Sequence, residues 1–299
     1  MAAIVVGVDG SCGGAAALRW AAAEARLRGV SLTLVHAYSG PAVGSGTEAG
    51  PTEPAPERQQ ARRVLDEAVQ AAGGLLVGTE IRDVLRPGHA ARELTEVSAV
   101  ADLLVVGMHG AGGFEGLLLG STAEHCARHA RCTVVLVPAR VDAAGAGSAR
   151  IVVGVDGSVP AQAALRWAVT EAQWRGAAID IVSVYEPYRA QGPYGAEFMD
   201  VASPGWRRRF HHAAEQAAVE AVTSLPTPPT VPVQTLVEAG HPSQVLAAKS
   251  RTAELVAIGH RGAGGFRGLL LGSVTRQLLH HSSCPVAVVR VASEIGKGQ

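Results

Sequence analysis

The sequence has few lysines, cysteines and aromatic residues, and it has no excess of charge of either sign. Its 299 residues include 26 basic and 26 acidic side chains, so no overall field attracts a nucleic-acid backbone or an anionic membrane. No apolar run reaches the roughly 18 residues that a membrane-spanning helix needs. The N-terminus also lacks the basic lead and long apolar run of a signal peptide. We therefore expect a cytoplasmic protein that binds neither nucleic acid nor membrane.

The four cysteines include no C-x-x-C pair, so we expect free thiols in a reducing compartment. The densest group of metal-ligand residue types runs from His125 to Cys132, and histidine and cysteine are good zinc ligands. A similar segment later in the chain has Gln277 and Leu278 where this one has His125 and Cys126. The sequence therefore predicts no metal site.

Several catalytic signatures are absent from the sequence. It has no G-x4-G-K-[S/T] loop, no G-x-G-x-x-G after the first strand and no G-x-S-x-G elbow. Its lysines are Lys249 and Lys297. These absences argue against a P-loop nucleotidase, a dinucleotide-dependent dehydrogenase and a serine hydrolase of the elbow type.

What the sequence does contain is a tandem repeat. The opening IVVGVDGS at Ile4 returns unchanged at Ile151, and LRWA at Leu18 returns at Leu165. GAGGFEGLLLGS, ending at Ser121, returns with one substitution. A self-similarity of this length predicts two copies of one domain.

The domain boundary is predicted from composition. Residues 138–150 are rich in glycine and alanine and have no apolar periodicity, so we predict domains over 1–142 and 148–295 that join near residues 143–149. Hydrophobic residues make up 47% of the chain, enough for a buried core in each domain. Two Pro/Gly-rich segments, 39–56 and 186–205, are predicted to be flexible loops rather than lids.

Within each copy, short β-branched runs alternate with alanine-rich helical stretches, which is typical of parallel βαβ units. The predicted strands are 4–8, 32–36, 80–84, 103–106 and 133–137, then 151–155, 179–184, 233–237, 255–258 and 286–289. The predicted helices are 14–28, 57–71 and 90–100, with a twin of the first helix, 206–224 and 243–252 in the second copy, and final helices N-capped by Ser121 and Ser273. The first helix and its twin are predicted to end at Gly29 and Gly176, which suit a left-handed C-cap. We predict an α/β fold of two tandem doubly wound five-stranded parallel-sheet domains, with ligands at the carboxyl ends of the strands.

Each copy carries a glycine-rich turn after its fourth strand. Gly107-x2-Gly110 is followed by nine residues and Gly120-Ser121, and the second copy has the same spacing from Gly259 to Ser273. Glycines let the backbone approach a ligand, and amides at a helix N-terminus bind phosphate oxygens. A plain strand-to-helix connection is the alternative, although two near-identical copies favour a ligand site.

An aspartate follows the first strand of each copy, Asp9 and Asp156. Its carboxylate is suited to accept hydrogen bonds from a ribose hydroxyl or an adenine amino group, next to a glycine that leaves room for the ring. The alternative is that each aspartate caps the following helix.

These motifs resemble the universal stress protein family, in its tandem ATP-binding form. The family signature is G-x2-G-x9-G-[S/T] with an aspartate after the first strand, and both copies match it. The resemblance implies phosphate or ribose contacts from Gly107, Gly110, Gly120, Ser121, Gly259, Gly262, Gly272 and Ser273. It implies adenosine contacts from Asp9, Ala37, Val106, Thr122, Asp156, Val184, Ile258 and Val274. Gly7 and Gly154 complete the predicted sites, where some relatives have proline.

The resemblance also implies ATP as the bound nucleotide, with or without Mg²⁺, and a homo-oligomer, in the simplest case a dimer formed through the last strands. We expect an ATP-dependent sensor or regulator of the stress response that acts on a regulatory protein partner and hydrolyses ATP slowly at most. An adenine-nucleotide hydrolase or nucleotidyl-transfer enzyme on the same sheet is the first alternative. A scaffold with vestigial pockets is the second.

The two predicted sites differ in charge. His109 and Glu115 of the first glycine-rich loop become Arg261 and Arg267 in the second. Because arginine is positive at neutral pH and pairs well with phosphate, we expect the second site to bind ATP more tightly.

Overall fold

A computed structural model describes residues 3–39, 56–111, 119–140, 149–185, 230–263 and 270–291, together with seven residues between 208 and 223. The chain divides into two compact units, Met1–Arg140 and Val141–Gln299. The predicted loop 186–205 lies outside the described residues, as do residues 40–55 of the predicted loop 39–56 and nearly all of the predicted join at 143–149.

The first unit alternates strands and helices along the whole of its described length. Its elements are β1 (Ala3–Gly7), α1 (Cys12–Arg28), β2 (Ser31–Tyr38), α2 (Pro56–Leu75), β3 (Ile81–Pro87), α3 (Ala90–Val97, followed by the 3-10 turn Ser98–Val100), β4 (Leu103–Gly107), α4 (Ser121–His129) and β5 (Thr133–Val137). The strands pair in parallel in the order β3-β2-β1-β4-β5. This arrangement confirms the predicted fold class.

The second unit repeats the plan. Its elements are β6 (Arg150–Val155), α5 (Val159–Arg175), β7 (Ala178–Tyr185), β8 (Val233–Ala239), α6 (Pro242–Lys249), β9 (Leu255–Gly259), α7 (Ser273–His281) and β10 (Val286–Val289). These strands also pair in parallel, in the order β8-β7-β6-β9-β10. The described residues between 208 and 223 are helical, within the span where a helix is predicted.

The central strands are buried because both of their faces are apolar. Residues 103–105 of β4 and 255–257 of β9 have no exposed surface, as expected for parallel strands covered on both sides. In each unit the chain builds one side of the sheet from the first strand and then crosses to the other. The strand order therefore reverses between β1 and β4, and between β6 and β9, which leaves a crevice at their carboxyl ends.

The ends of the helices test the predicted caps. Gly29 and Gly176 end α1 and α5 with positive φ angles of 64° and 62°, which confirms the predicted left-handed C-caps. The predicted N-caps of α4 and α7 are wrong. Gly120 and Gly272 occupy the extended N-cap position, and Ser121 and Ser273 are already helical. A serine at the first helical position is not placed to cap the amides that follow.

Candidate functional site

A cavity of about 470 Å³ lies at the crevice of the first unit. All nine residues predicted for the first site line it: Gly7, Asp9, Ala37, Val106, Gly107, Gly110, Gly120, Ser121 and Thr122. They come from the ends of β1, β2 and β4 and from the start of α4. The fold thus gathers residues that are up to 115 positions apart in the sequence.

The second unit holds a cavity of nearly the same size, about 480 Å³. It is lined by all nine of the equivalent predicted residues: Gly154, Asp156, Val184, Ile258, Gly259, Gly262, Gly272, Ser273 and Val274. The two cavities are called cavity 1 and cavity 2 below. Their matching positions follow from the repeated sequence.

Glycine is required where β4 and β9 end, because these positions touch the first helix of their unit. A Cβ atom at Gly107 would lie 2.6 Å from the backbone carbon of Gly13, and one at Gly259 would lie 2.7 Å from that of Pro160. Real Cβ atoms do not approach other heavy atoms so closely. These glycines therefore have a packing role in addition to any contact with a ligand.

In each unit an aspartate joins two loops of the site, Asp9 in the first unit and Asp156 in the second. Asp9 accepts hydrogen bonds from the amide of Ser11 at 3.0 Å and from the amide of Ala111 at 2.8 Å. Asp156 accepts them from the amides of Ser158 at 3.1 Å and Ala263 at 2.7 Å. Each carboxylate thus ties the end of the first strand to the glycine-rich turn.

The alternative in which these aspartates cap the next helix is wrong. The N-cap of α1 is Ser11, whose hydroxyl accepts a hydrogen bond from the amide of Gly14. The N-cap of α5 is Ser158, whose hydroxyl accepts from the amide of Ala161. A serine two residues later already occupies the cap. The aspartate instead bonds the glycine-rich turn.

Gly110 and Gly262 lie directly beside these carboxylates. A Cβ atom at Gly110 would lie 2.7 Å from Oδ2 of Asp9, and one at Gly262 would be still closer to Oδ2 of Asp156. The second glycine of the signature thus gives the turn room to bond the carboxylate through the next amide. Both glycines are solvent-exposed and face their cavities.

The starts of α4 and α7 supply hydrogen-bond donors to the cavities. Neither helix has a side-chain hydrogen bond at its N-cap. The first amides of a helix have no partner within the helix, and the helix dipole makes this end attractive to anions. Residues 121–123 line cavity 1 and residues 273–275 line cavity 2.

Sequence reasoning missed the leucine that forms one wall of each cavity. Leu94 of α3 lines cavity 1 and Leu246 of α6 lines cavity 2. A Cβ atom at Gly7 would lie 2.8 Å from Cδ1 of Leu94, and one at Gly154 would lie 2.9 Å from that of Leu246. Gly7 and Gly154 therefore make room for this leucine. The signal was present, because the leucine follows a Gly-His pair at the same distance in both copies.

The charged residues around the cavities differ between the units. His109 and Glu124 line cavity 1, and Glu124 accepts a hydrogen bond from Arg128 at 2.5 Å. Arg261 lines cavity 2, and its Nε donates to Nε2 of His260 at 3.1 Å. Glu115 and Arg267, which contribute to the predicted charge difference, lie outside the described residues.

The described part of the chain contains no group of three or more histidine, cysteine, aspartate or glutamate side chains placed to hold a metal ion. Among the helices of the same residues, none is long and apolar enough to cross a membrane.

Comparison with known proteins places the two units in a family. The model of the Universal stress protein family matches residues 1–138 and 148–290. Universal stress protein Rv2623 of Mycobacterium tuberculosis is 34% identical over 310 residues, which cover 96% of each chain. A solved universal stress protein from Archaeoglobus fulgidus has a TM-score of 0.65 at 20% identity and covers 96% of each chain. A further solved universal stress protein, whose structure is in complex with cAMP, is 28% identical and covers 46% of this chain and 97% of its own, with a TM-score of 0.37. The chain therefore belongs to the universal stress protein family and has one family domain in each half.

Proposed function

We propose that the protein is an ATP-binding regulator or sensor of the stress response, with one nucleotide site in each unit and slow hydrolysis at most. The observation that carries this proposal is the same in both units. A cavity at the switch point of the sheet is lined by a helix start that has no side-chain cap and by the glycines of the glycine-rich turn. Backbone amides arranged in this way suit phosphate oxygens.

The apolar residues that line each cavity suit the adenosine. Ala37, Val106 and Leu94 form an apolar wall in cavity 1, and Val184, Ile258 and Leu246 form it in cavity 2. Volumes of about 470 and 480 Å³ lie within the roughly 300–1,000 Å³ of small-molecule pockets. The apolar wall would hold the base while the helix amides hold the phosphates.

Any Mg²⁺ would be held mainly by the nucleotide. The described residues offer no cluster of ligand side chains for a resident ion, and magnesium in nucleotide sites is commonly bound through substrate phosphates and water. We therefore propose that the ion enters with the triphosphate.

We infer slow hydrolysis from the position of the carboxylate in each site. Both oxygens of Asp9 accept backbone amide hydrogen bonds, and so do both oxygens of Asp156, which holds each carboxylate against the glycine-rich turn. A general base must instead lie within hydrogen-bond reach of the attacking water. We propose that bound ATP instead stabilises one conformation or one homo-oligomer, which a regulatory protein partner recognises. Light scattering with and without ATP tests the oligomer.

Calorimetric titration with Mg-ATP tests the two sites. The wild-type chain is expected to bind two nucleotides. In Gly110→Asp or Gly262→Asp, the new carboxylate lies beside Asp9 or Asp156 and faces the phosphates, so each variant is expected to bind one. The matched control is Gly73→Asp, because an added Cβ there meets no atom within 4 Å; it is expected to bind two.

Absence of ATP binding by the wild-type chain would overturn the proposal and favour a scaffold with vestigial pockets. Binding of two nucleotides by both site variants would place the ligand elsewhere. Steady-state phosphate release at several turnovers per second would favour the hydrolase alternative instead, since enzymes commonly turn over at about 1–1,000 per second.

A further inference from the structure

The two cavities have the same aspartate and the same helix start, which together are called the shared floor. They differ in the charged side chains around that floor. Asp9 and Asp156 make equivalent hydrogen bonds to the glycine-rich turn, and both helix starts have the same glycine N-cap. A difference in ligand choice must therefore come from the side chains around this shared floor.

The first turn of the phosphate-facing helix carries opposite charges in the two units. In α4 this turn contains Glu124, which lines cavity 1. The corresponding residue of α7 is Arg276, and that first turn has no acidic residue. A carboxylate in the first turn interacts with the positive end of the helix dipole and so competes with an anionic ligand for it.

The turn after the fourth strand adds a second difference of the same sign. His109 lines cavity 1 where Arg261 lines cavity 2, and both side chains are half-buried. Arg128 partly neutralises Glu124. In the second unit Arg261 lines cavity 2, and the exposed Arg276 stands where the first unit has Glu124.

We propose that the two cavities select nucleotides by their number of phosphates. This inference rests on the proposed function. Cavity 1 takes an adenosine monophosphate, because its helix amides hold one phosphate while Glu124 repels further ones. Cavity 2 takes the triphosphate, because Arg261 lines it and suits the additional phosphate charge, and because the first turn of its helix has no acidic residue to repel that charge. Each cavity still binds ATP when ATP alone is supplied, but in a mixture of AMP and ATP the chain binds one nucleotide of each kind.

Single-site chains allow each selectivity to be measured. Gly262→Asp leaves cavity 1 as the binding site, and Gly110→Asp leaves cavity 2. Each is titrated with AMP and with Mg-ATP. The ratio of ATP affinity to AMP affinity is expected to be at least about tenfold higher at cavity 2, the size of one charge-assisted hydrogen bond.

Exchanging the charged residues tests whether they cause the difference in selectivity between the cavities. Glu124→Arg in the Gly262→Asp chain is expected to raise the ATP-to-AMP affinity ratio about tenfold, and Glu124→Gln about threefold. Arg276→Glu in the Gly110→Asp chain is expected to lower that ratio. The matched control is Glu67→Arg, which makes the same charge change at an exposed residue of α2 that lines neither cavity; its ratio is expected to stay unchanged.

The wild-type chain gives a reading that needs no single-site variant. AMP is expected to bind tightly at one site per chain, and ATP added to that complex is expected to bind at the other. Equal ATP-to-AMP ratios at the two cavities would overturn this inference and leave the proposed function intact. Absence of binding by either nucleotide would overturn the proposed function itself.

Discussion

The two units build the same contact between the first helix and the glycine-rich turn from different residues. In the first unit Gly13 lies so close to the carbonyl oxygen of His109 that a Cβ atom there would overlap it. In the second unit the corresponding residue is Pro160, in the first turn of α5, and Gly259 alone makes room. Shared motif residues therefore do not impose one packing solution. The close approach of the first helix to the glycine-rich turn uses two glycines in the first unit and one glycine in the second.

The largest effect expected from this comparison concerns Gly13. Gly13→Ala places a methyl group against backbone and should lower the free energy of unfolding by about 3 kcal/mol, at the upper end of typical overpacking costs. Pro160→Ala removes atoms from a position that already carries a side chain and should cost about 1 kcal/mol or less. Urea unfolding of the two variants measures the difference.

Gly73→Ala is the control for the first of these variants, because an added Cβ there has no neighbour within 4 Å. It should stabilise α2 by roughly 0.5–1 kcal/mol through the higher helix propensity of alanine. A Gly13→Ala chain as stable as wild type would show that α1 shifts to accept the methyl group, and the two units would then be less different than their glycines suggest.

A smaller effect is expected at the aspartates. Asp9 is half-buried and also accepts a hydrogen bond of 2.5 Å from the hydroxyl of Ser11, whereas Asp156 is exposed. Asp9→Ala should therefore lower the free energy of unfolding by about 2 kcal/mol and Asp156→Ala by about 1 kcal/mol, since a hydrogen bond to a charged group contributes roughly 1.5–3 kcal/mol and exposure reduces it. Equal losses in urea unfolding would show that burial of Asp9 and its bond to the Ser11 hydroxyl add no stability.

The smallest effect concerns a property that the two units share. Burial raises the pKa of the Cys126 thiol and of the Cys284 thiol, each to about 12. The protonated thiol is favoured in the folded state. Its contribution to the free energy of unfolding is therefore fully present below the unfolded pKa near 9, and it is lost as pH rises toward the folded pKa of about 12. Each thiol should lower the free energy of unfolding by about 1 kcal/mol at pH 10 relative to pH 8.

Urea unfolding of Cys126→Ala at the two pH values measures this contribution in the first unit. The variant should lose less stability between pH 8 and pH 10 than the wild-type chain does. Cys12→Ala removes an exposed thiol and should leave the wild-type pH dependence in place. Equal pH dependence in all three chains would show that the Cys126 thiol titrates alike in the folded and unfolded states.

The strength of the local pattern decided how well each element was predicted. β5 and β10 were predicted to the residue, because each is an uninterrupted β-branched or apolar run with a proline at one end. β3 was predicted over 80–84 but continues to Pro87, because its pairing with β2 extends to Tyr38 and Pro87. Pairing across a sheet depends on the partner strand, which no local window of sequence contains.

The residues of the candidate site also divide into those that the sequence pattern identified and those that it misassigned or missed. The repeated signature identified residues that the fold brings to both cavities. The mistake at Ser121 and Ser273 came from residue preference alone, since serine is a common N-cap but glycine holds the extended position here. Leu94 and Leu246 were missed because a leucine in a helix is ordinarily a core residue, and its place against Gly7 or Gly154 depends on how the helix docks.

The sequence by itself determined the duplication, the α/β class and the spacing of the glycines, because repetition and periodicity are properties of the chain in one dimension. Only the tertiary structure decided what those glycines accommodate and which groups the aspartates bond. Gly107 meets Gly13, and Asp9 meets the amide of Ala111, across 94 and 102 positions of sequence. Such contacts are set by the order of strands in the sheet and by the close packing of helices on it, which bring together residues that no local pattern connects.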